Sequence, residues 1–93
     1  MSSVLDEIVR ICTKNSDIDK VILHGSRARG TNMEKSDIDI ALEGRNIDIE
    51  MLNDEMNKID TLLQIDLVDI GNCKNELLKN EVEKYGVTLY SKI

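Results

Sequence analysis

Two acidic side chains are placed where they could bind a metal ion. Asp37 and Asp39 are one residue apart, and a strand puts residues i and i+2 on the same face, so both carboxylates are expected to point the same way. Adjacent carboxylates repel each other, and burial increases the repulsion. A divalent cation between the oxygens relieves it. The pair therefore predicts a magnesium site on a strand whose other face, with Ile38 and Ile40, enters the core.

The segment before the aspartates has the composition of a phosphate-binding loop. Residues 25–30 read Gly-Ser-Arg-Ala-Arg-Gly. Glycine permits close approach of the backbone, a serine hydroxyl can donate to a phosphate oxygen, and arginine pairs with phosphate charge. We therefore expect a nucleotide to be bound by Gly25, Ser26, Arg27 and Arg29. An ordinary strand-to-loop turn and a solvated Arg27 are the open alternatives.

A third carboxylate interrupts a later apolar run, which covers residues 65–70. Asp66 lies near the start of this run, and Asp69 lies three positions further on and therefore on the opposite face. We favour Asp66 as the partner of the first two carboxylates and expect Asp69 to be a strand-end or turn residue. His24, directly before the glycine turn, is expected to be structural, with a contribution to the site left open.

Apolar periodicity predicts an α/β (α+β) fold, with a small mixed sheet and flanking helices in the order α-β-β-α-β-α. Helices are predicted at about residues 3–14, 48–62 and 77–85, with Gly86 as a C-terminal cap, and strands at 20–24, 37–42 and 65–70. A short edge strand is possible at 87–90. The short first connection favours antiparallel strands, and a helical crossover favours a parallel pair. These connections bring the glycine turn and the three aspartates together.

Composition limits the class of protein. Ninety-three residues with one modest core predict a single domain spanning 1–93. Twelve basic and eighteen acidic residues give a net charge of -6, which argues against a direct nucleic-acid partner. No signal pattern or membrane-spanning run is visible, so a cytoplasmic protein without a membrane partner is expected. Cys12 and Cys73 lack a metal-binding spacing, and Cys12 is expected to be a buried free thiol.

The spacing of Gly25-Ser26, ten residues and then Asp37-x-Asp39 resembles the signature of the nucleotidyltransferase superfamily that includes DNA polymerase beta. Over essentially the whole chain it is similar to the minimal nucleotidyltransferases, the antitoxin partners of HEPN-domain toxins. The resemblance implies that Asp37 and Asp39 hold two Mg²⁺ ions. It also implies that Asp66 binds the catalytic ion and helps to deprotonate the attacking hydroxyl, and that Arg29 contacts the outer phosphates.

The function that the resemblance implies is transfer of AMP from ATP to a tyrosine hydroxyl of a partner HEPN toxin. An acceptor held by another protein implies a hetero-oligomer, because almost every residue of this chain is needed for the nucleotide-binding core. Two alternatives stay open at this point. One is a catalytically silent antitoxin that acts sterically, and the other is a nucleotidyltransferase subunit for a small-molecule acceptor.

Overall fold

The computed structural model describes residues 2–14, 17–25, 37–61 and 64–92. In chain order its elements are α1 Ser2–Thr13, β1 Ile18–His24, β2 Ile38–Gly44, α2 Ile49–Met56, β3 Ile65–Asp69, α3 Glu76–Tyr85 and β4 Val87–Ser91. The predicted fold class is confirmed, and so is the short edge strand. None of the helices in this described part is long and apolar enough to cross a membrane.

The four strands form one mixed sheet in the order β3-β2-β1-β4. β1 is antiparallel to both β2 and β4, whereas β2 and β3 are parallel. The directions inferred from connection lengths are therefore confirmed. Because β1 runs against β2 and β3, its last residues lie beside the first residues of these two strands. The C-terminal end of β1 and the N-terminal ends of β2 and β3 together are called the site end of the sheet.

Alternation along β2 divides the core between the two faces of the sheet. Ile38, Ile40 and Leu42 are each 0 % exposed and belong to the larger cluster, which also contains buried residues of α1 and α2. Cys12 of α1 lies in this cluster, and its burial raises the pKa of the thiol to about 11, as expected for an inert buried cysteine. The opposite face carries Ala41, which packs with Val82 of α3 in a smaller cluster.

Side-chain caps start the second and third helices. Asp48 accepts a hydrogen bond from the backbone N–H of Met51 at 3.1 Å, and Asn75 accepts one from Leu78 at 3.2 Å. Both residues are in extended backbone, and their carboxylate and amide oxygens satisfy N–H groups that a first helical turn leaves without partners. The caps therefore fix where α2 and α3 begin.

Several predicted boundaries are wrong by a few residues. α2 ends at Met56 rather than near 62, because Lys58 and Ile59 donate to carbonyl groups three residues back and tighten the last turn. Ile59 still packs against the core from this turn, which explains why the apolar period continues past the helix. β1 begins at Ile18 and β2 extends to Gly44, since these two residues pair with each other.

Gly86 caps the C-terminal end of α3, as predicted. Its φ of -63° and ψ of 144° are extended backbone rather than the left-handed conformation that is common at such caps. Its N–H donates to the Val82 carbonyl oxygen at 2.8 Å. A Cβ at this position would collide with that carbonyl oxygen and lie 2.7 Å from Cγ2 of Ile22. Glycine is therefore required for space where the chain turns from α3 into β4.

We expect Gly86→Ala to lower the stability of the fold by about 1–3 kcal/mol, since the added methyl group must displace backbone or Ile22. Thermal unfolding measures the effect. Gly71→Ala is the matched control, because the nearest atom to its Cβ is Asp69 Oδ1 at 3.7 Å. Equal melting temperatures for the two variants would contradict this account of the turn.

Candidate active site

Three ionisable side chains form a row across the site end of the sheet. His24 on β1 pairs with Asp39 on β2, and Asp39 pairs with Asp66 on β3. Neighbouring strands are about 4.8 Å apart, and paired residues point to the same face. Asp37 is exposed, directly precedes β2 and lies two positions before Asp39 on that strand. The structure thus brings together the three aspartates singled out in the sequence.

The surroundings of Asp39, at the centre of the row, destabilise its ionised form. Its pKa is raised, first by burial and then by the negative charges of Asp66, Asp37 and Glu81, while His24 acts in the opposite direction. The pKa of His24 is lowered by burial, against the pull of Asp39 and Glu81. Each group is therefore disfavoured in its charged form. A cation near Asp39 would remove most of this penalty.

Gly25 brings the backbone against the central carboxylate. Its φ of +77° lies in the left-handed region that favours glycine. A Cβ at Gly25 would collide with Oδ2 of Asp39 and lie 3.2 Å from its Cγ. The glycine turn and the carboxylates are therefore adjacent, as expected. Ser26, Arg27 and Arg29 lie outside the described residues, so their contact with a nucleotide stays a prediction.

The register separates the two aspartates of β3. Asp66 lies beside Asp39 and accepts a hydrogen bond from Gln64 Nε2 at 3.2 Å. Asp69 pairs with Leu42 toward the other end of the sheet, and its Oδ2 accepts from Asn72 Nδ2 at 2.7 Å. The placement expected for both residues is confirmed. The catalytic role of Asp66 stays a prediction.

Two residues contribute more to the site than the sequence suggested. His24 is only 7 % exposed, and its buried Nδ1 has no hydrogen-bond partner in the described part of the chain. Glu81 acts electrostatically on both Asp39 and His24 from α3. A signal for Glu81 was present, because Leu78 and Val82 mark the buried stripe of α3 and Glu81 lies three residues after Leu78 on nearly the same face.

The chemistry of the aspartates fits magnesium, although their side chains are not arranged around one point. Within the described ranges, no group of three or more His, Cys, Asp or Glu side chains is positioned to hold a metal ion. Carboxylate oxygens are nevertheless the ligands that Mg²⁺ prefers, and both Asp37 and Asp66 act electrostatically on Asp39. Asp37, Asp39 and Asp66 are the residues that would hold the ion.

Comparison with protein families decides the class. The model of the family described as "Polymerase beta, Nucleotidyltransferase" matches residues 6–93. The chain belongs to this family. The resemblance drawn from Gly25, Ser26, Asp37 and Asp39 is thereby confirmed at the level of the superfamily. A comparison with curated proteins gives no match.

Solved structures with the same fold include several toxin–antitoxin complexes. A crystal structure of a toxin–antitoxin with AMP-PNP is 26 % identical, with a TM-score of 0.75, over 92 % of this chain and 72 % of that chain. A tyrosine-to-alanine mutant of the toxin–antitoxin MntA–HpeT is 27 % identical, with a TM-score of 0.75, over 94 % and 72 %. The tri-AMPylated Shewanella oneidensis HEPN toxin in complex with MNT antitoxin matches at 21 % identity and a TM-score of 0.73, over 97 % and 71 %.

We expect Asp39→Asn to raise the melting temperature in chelator at pH 7 by a few degrees. A carboxyl group whose folded pKa is raised contributes stability that is present below the ordinary Asp pKa of about 4 and is lost as pH rises through the folded value. Asparagine removes that loss. At low pH, where Asp39 is protonated, the two melting curves should converge.

Calorimetric unfolding with and without magnesium checks this expectation. Asp54→Asn, at an exposed position of α2, is the matched control and should melt like the wild type. Magnesium should stabilise the wild type more than the Asp39→Asn variant, because the ion binds the folded state. Identical wild-type curves in chelator and in magnesium would mean that the aspartates do not act as one cluster.

Proposed function

We propose that this chain is a magnesium-dependent nucleotidyltransferase, acting as one domain over residues 1–93, that transfers AMP from ATP to a hydroxyl group of a partner HEPN toxin and so serves as its antitoxin. One observation carries the proposal. Gly25 and Asp66 both lie against Asp39, as the strand pairing and the collision of any Cβ at Gly25 with Asp39 indicate, and this supports a phosphate site beside a metal site. The family match to residues 6–93 supports nucleotidyl transfer.

The acceptor and donor are supported by the similar complexes. One of them contains AMP-PNP, which supports ATP as the donor, and another contains a tri-AMPylated HEPN toxin, which supports a protein acceptor. A tyrosine hydroxyl as the acceptor is what the resemblance to the minimal nucleotidyltransferases implies. The net charge of -6 favours docking to a basic surface, such as that of an RNA-cleaving toxin, and would speed association at low salt.

In the proposed reaction, different residues bind the nucleotide and the metal ions. Gly25, with Ser26 and Arg29, holds the triphosphate, and Asp37, Asp39 and Asp66 hold magnesium. Two bound ions would lower the pKa of the acceptor hydroxyl and neutralise the departing pyrophosphate. The protein contributes position and charge, without a covalent intermediate. The burial that raises the pKa of Asp39 also strengthens its attraction for a cation.

A steric antitoxin is the second candidate, and one observation favours it. α3 and the start of β4 carry exposed apolar side chains that a partner protein would cover. Leu77 is 82 % exposed, and Tyr85 and Val87 are each nearly half exposed. Such an antitoxin would neutralise the toxin by binding alone, without a need for ATP.

Intact mass spectrometry distinguishes the two candidates. A HEPN-type toxin is incubated with ATP, magnesium and a substoichiometric amount of the chain. We expect the toxin to gain mass in multiples of AMP and to lose its activity. A one-to-one requirement, unaffected by ATP and equally met by Asp37→Asn, would replace the enzyme with the steric antitoxin.

Substitutions on β3 test which aspartate takes part. Asp66→Asn should reduce AMP transfer as strongly as Asp39→Asn, because loss of a metal ligand removes charge stabilisation from the transition state. Asp69→Asn is the control and should retain most activity, since an asparagine oxygen can still accept the hydrogen bond from Asn72. The rate of toxin modification under saturating ATP measures all three. The reverse order would assign the metal to Asp69.

A further inference from the structure

α3 lies on the same face of the sheet as the carboxylate row. Alternation along β2 puts Asp39 and Ala41 on one face, and Ala41 packs with Val82 of α3. The C-terminal end of α3 lies over β1, because a Cβ at Gly86 would be 2.7 Å from Cγ2 of Ile22. This end of the helix is therefore close to the strand that leads into the glycine turn.

The two flanks of α3 face opposite ends of the sheet. Glu83 lines a groove together with Lys20 and Glu43, which pair with each other at the end of the sheet away from the carboxylates. Successive helical residues are about 100° apart, so Glu81 and Glu83, the residues before and after the buried Val82, lie on opposite flanks. The flank that carries Glu81 therefore faces the site end of the sheet.

Tyr85 lies on the flank that faces the site end. It is four residues after Glu81, and residues at this spacing are neighbours on one side of a helix. Glu81 acts electrostatically on both His24 and Asp39, in agreement with the direction of this flank. β4 begins two residues after Tyr85 and pairs with the last part of β1. The Tyr85 side chain is thus placed on the β1 side of the site, beside the glycine turn.

The Tyr85 ring is open to a ligand. The chain has two tyrosines and neither phenylalanine nor tryptophan. Tyr90 packs against the larger cluster, on the opposite face of the sheet, whereas Tyr85 is 43 % exposed. The Lys84 ammonium lies 5.2 Å from the centre of the Tyr85 ring. An exposed cation–π contact is weak beside the stacking of a base on an aromatic side chain, so a base can displace the ammonium.

We propose that Tyr85 is the base platform of the nucleotide site, the side chain on which the adenine ring of ATP stacks while its phosphates are bound at Gly25. The proposal rests on the proposed nucleotidyl transfer and goes further, since the glycine turn and the aspartates account only for the phosphates and the metal. The base platform adds affinity for the nucleoside part of ATP. It does not distinguish adenine from guanine, because stacking uses the flat face that every base has.

Calorimetric titration with two ligands tests the base platform. ATP and inorganic tripolyphosphate both carry three phosphates and are each titrated with magnesium present, but only ATP carries a base. We expect Tyr85→Ala to weaken ATP binding by about tenfold, as for the loss of one stacked base, and to change tripolyphosphate binding by less than about twofold. Tyr85→Phe, which restores a ring, should restore the affinity for ATP.

Met51→Ala is the matched control. Met51 is 46 % exposed, close to the exposure of Tyr85, but it lies on α2, which packs on the opposite face of the sheet. This variant should bind ATP with the affinity of the wild type. If Tyr85→Ala fails to fold, Tyr85→Leu takes its place, because leucine keeps an apolar side chain at this position but offers no flat ring.

The outcomes separate the base platform from the proposed function. A wild type that binds ATP but transfers no AMP would overturn the proposed function, and the two titrations of Tyr85→Ala would still decide the base platform. Unchanged ATP affinity in Tyr85→Ala would overturn the base platform alone. An equal loss for ATP and tripolyphosphate would also overturn it, since the substitution would then act on the phosphates. Weaker toxin binding with unchanged ATP binding would assign Tyr85 to the surface that contacts the partner protein.

Discussion

Carboxylates at the site end of the sheet repel each other, and the rest of the fold must hold them together against this repulsion. Asp39 lies beside Asp66 and two positions after Asp37, and Glu81 adds a fourth negative charge from α3. A fold that maximised only its own stability would disperse these charges. The hydrophobic clusters on both faces of the sheet hold them together, so packing energy maintains an electrostatic arrangement that a bound cation would make favourable.

The mixed topology of the sheet makes this convergence possible in a small chain. An antiparallel β1–β2 pair brings the end of one strand, with Gly25 directly after it, to the start of the next. The parallel β2–β3 pair then places Asp66 level with Asp39. A parallel first pair would have sent the glycine turn to the opposite end of the sheet. Strand direction therefore matters as much to this site as residue identity.

Much of the site could be predicted because it depends on residues close together in sequence and on the lengths of the connections between strands. Strand alternation puts Asp37 and Asp39 on one face. The connection lengths predict the strand directions that place Asp66 next to them. The end of α2 was not predictable in this way, since Ile59 continues the apolar period from a turn. The burial of His24 depends on tertiary packing, and Glu81 acts on the site because Val82 packs α3 against the sheet. The need for glycine at position 86 comes from the closeness of Ile22 and the Val82 carbonyl, and the contact with Ile22 cannot be read from local sequence.

α3 contributes both a residue of the hydrophobic core and a charged residue that acts on the site. Val82 is buried against Ala41 and Ile70, while Glu81, the preceding residue, acts on Asp39 and His24. Successive residues of an α-helix are about 100° apart around the helix axis. The packing of Val82 therefore fixes the side of α3 on which Glu81 lies. Movement of α3 would therefore change both the packing of the smaller cluster and the electrostatic environment of Asp39.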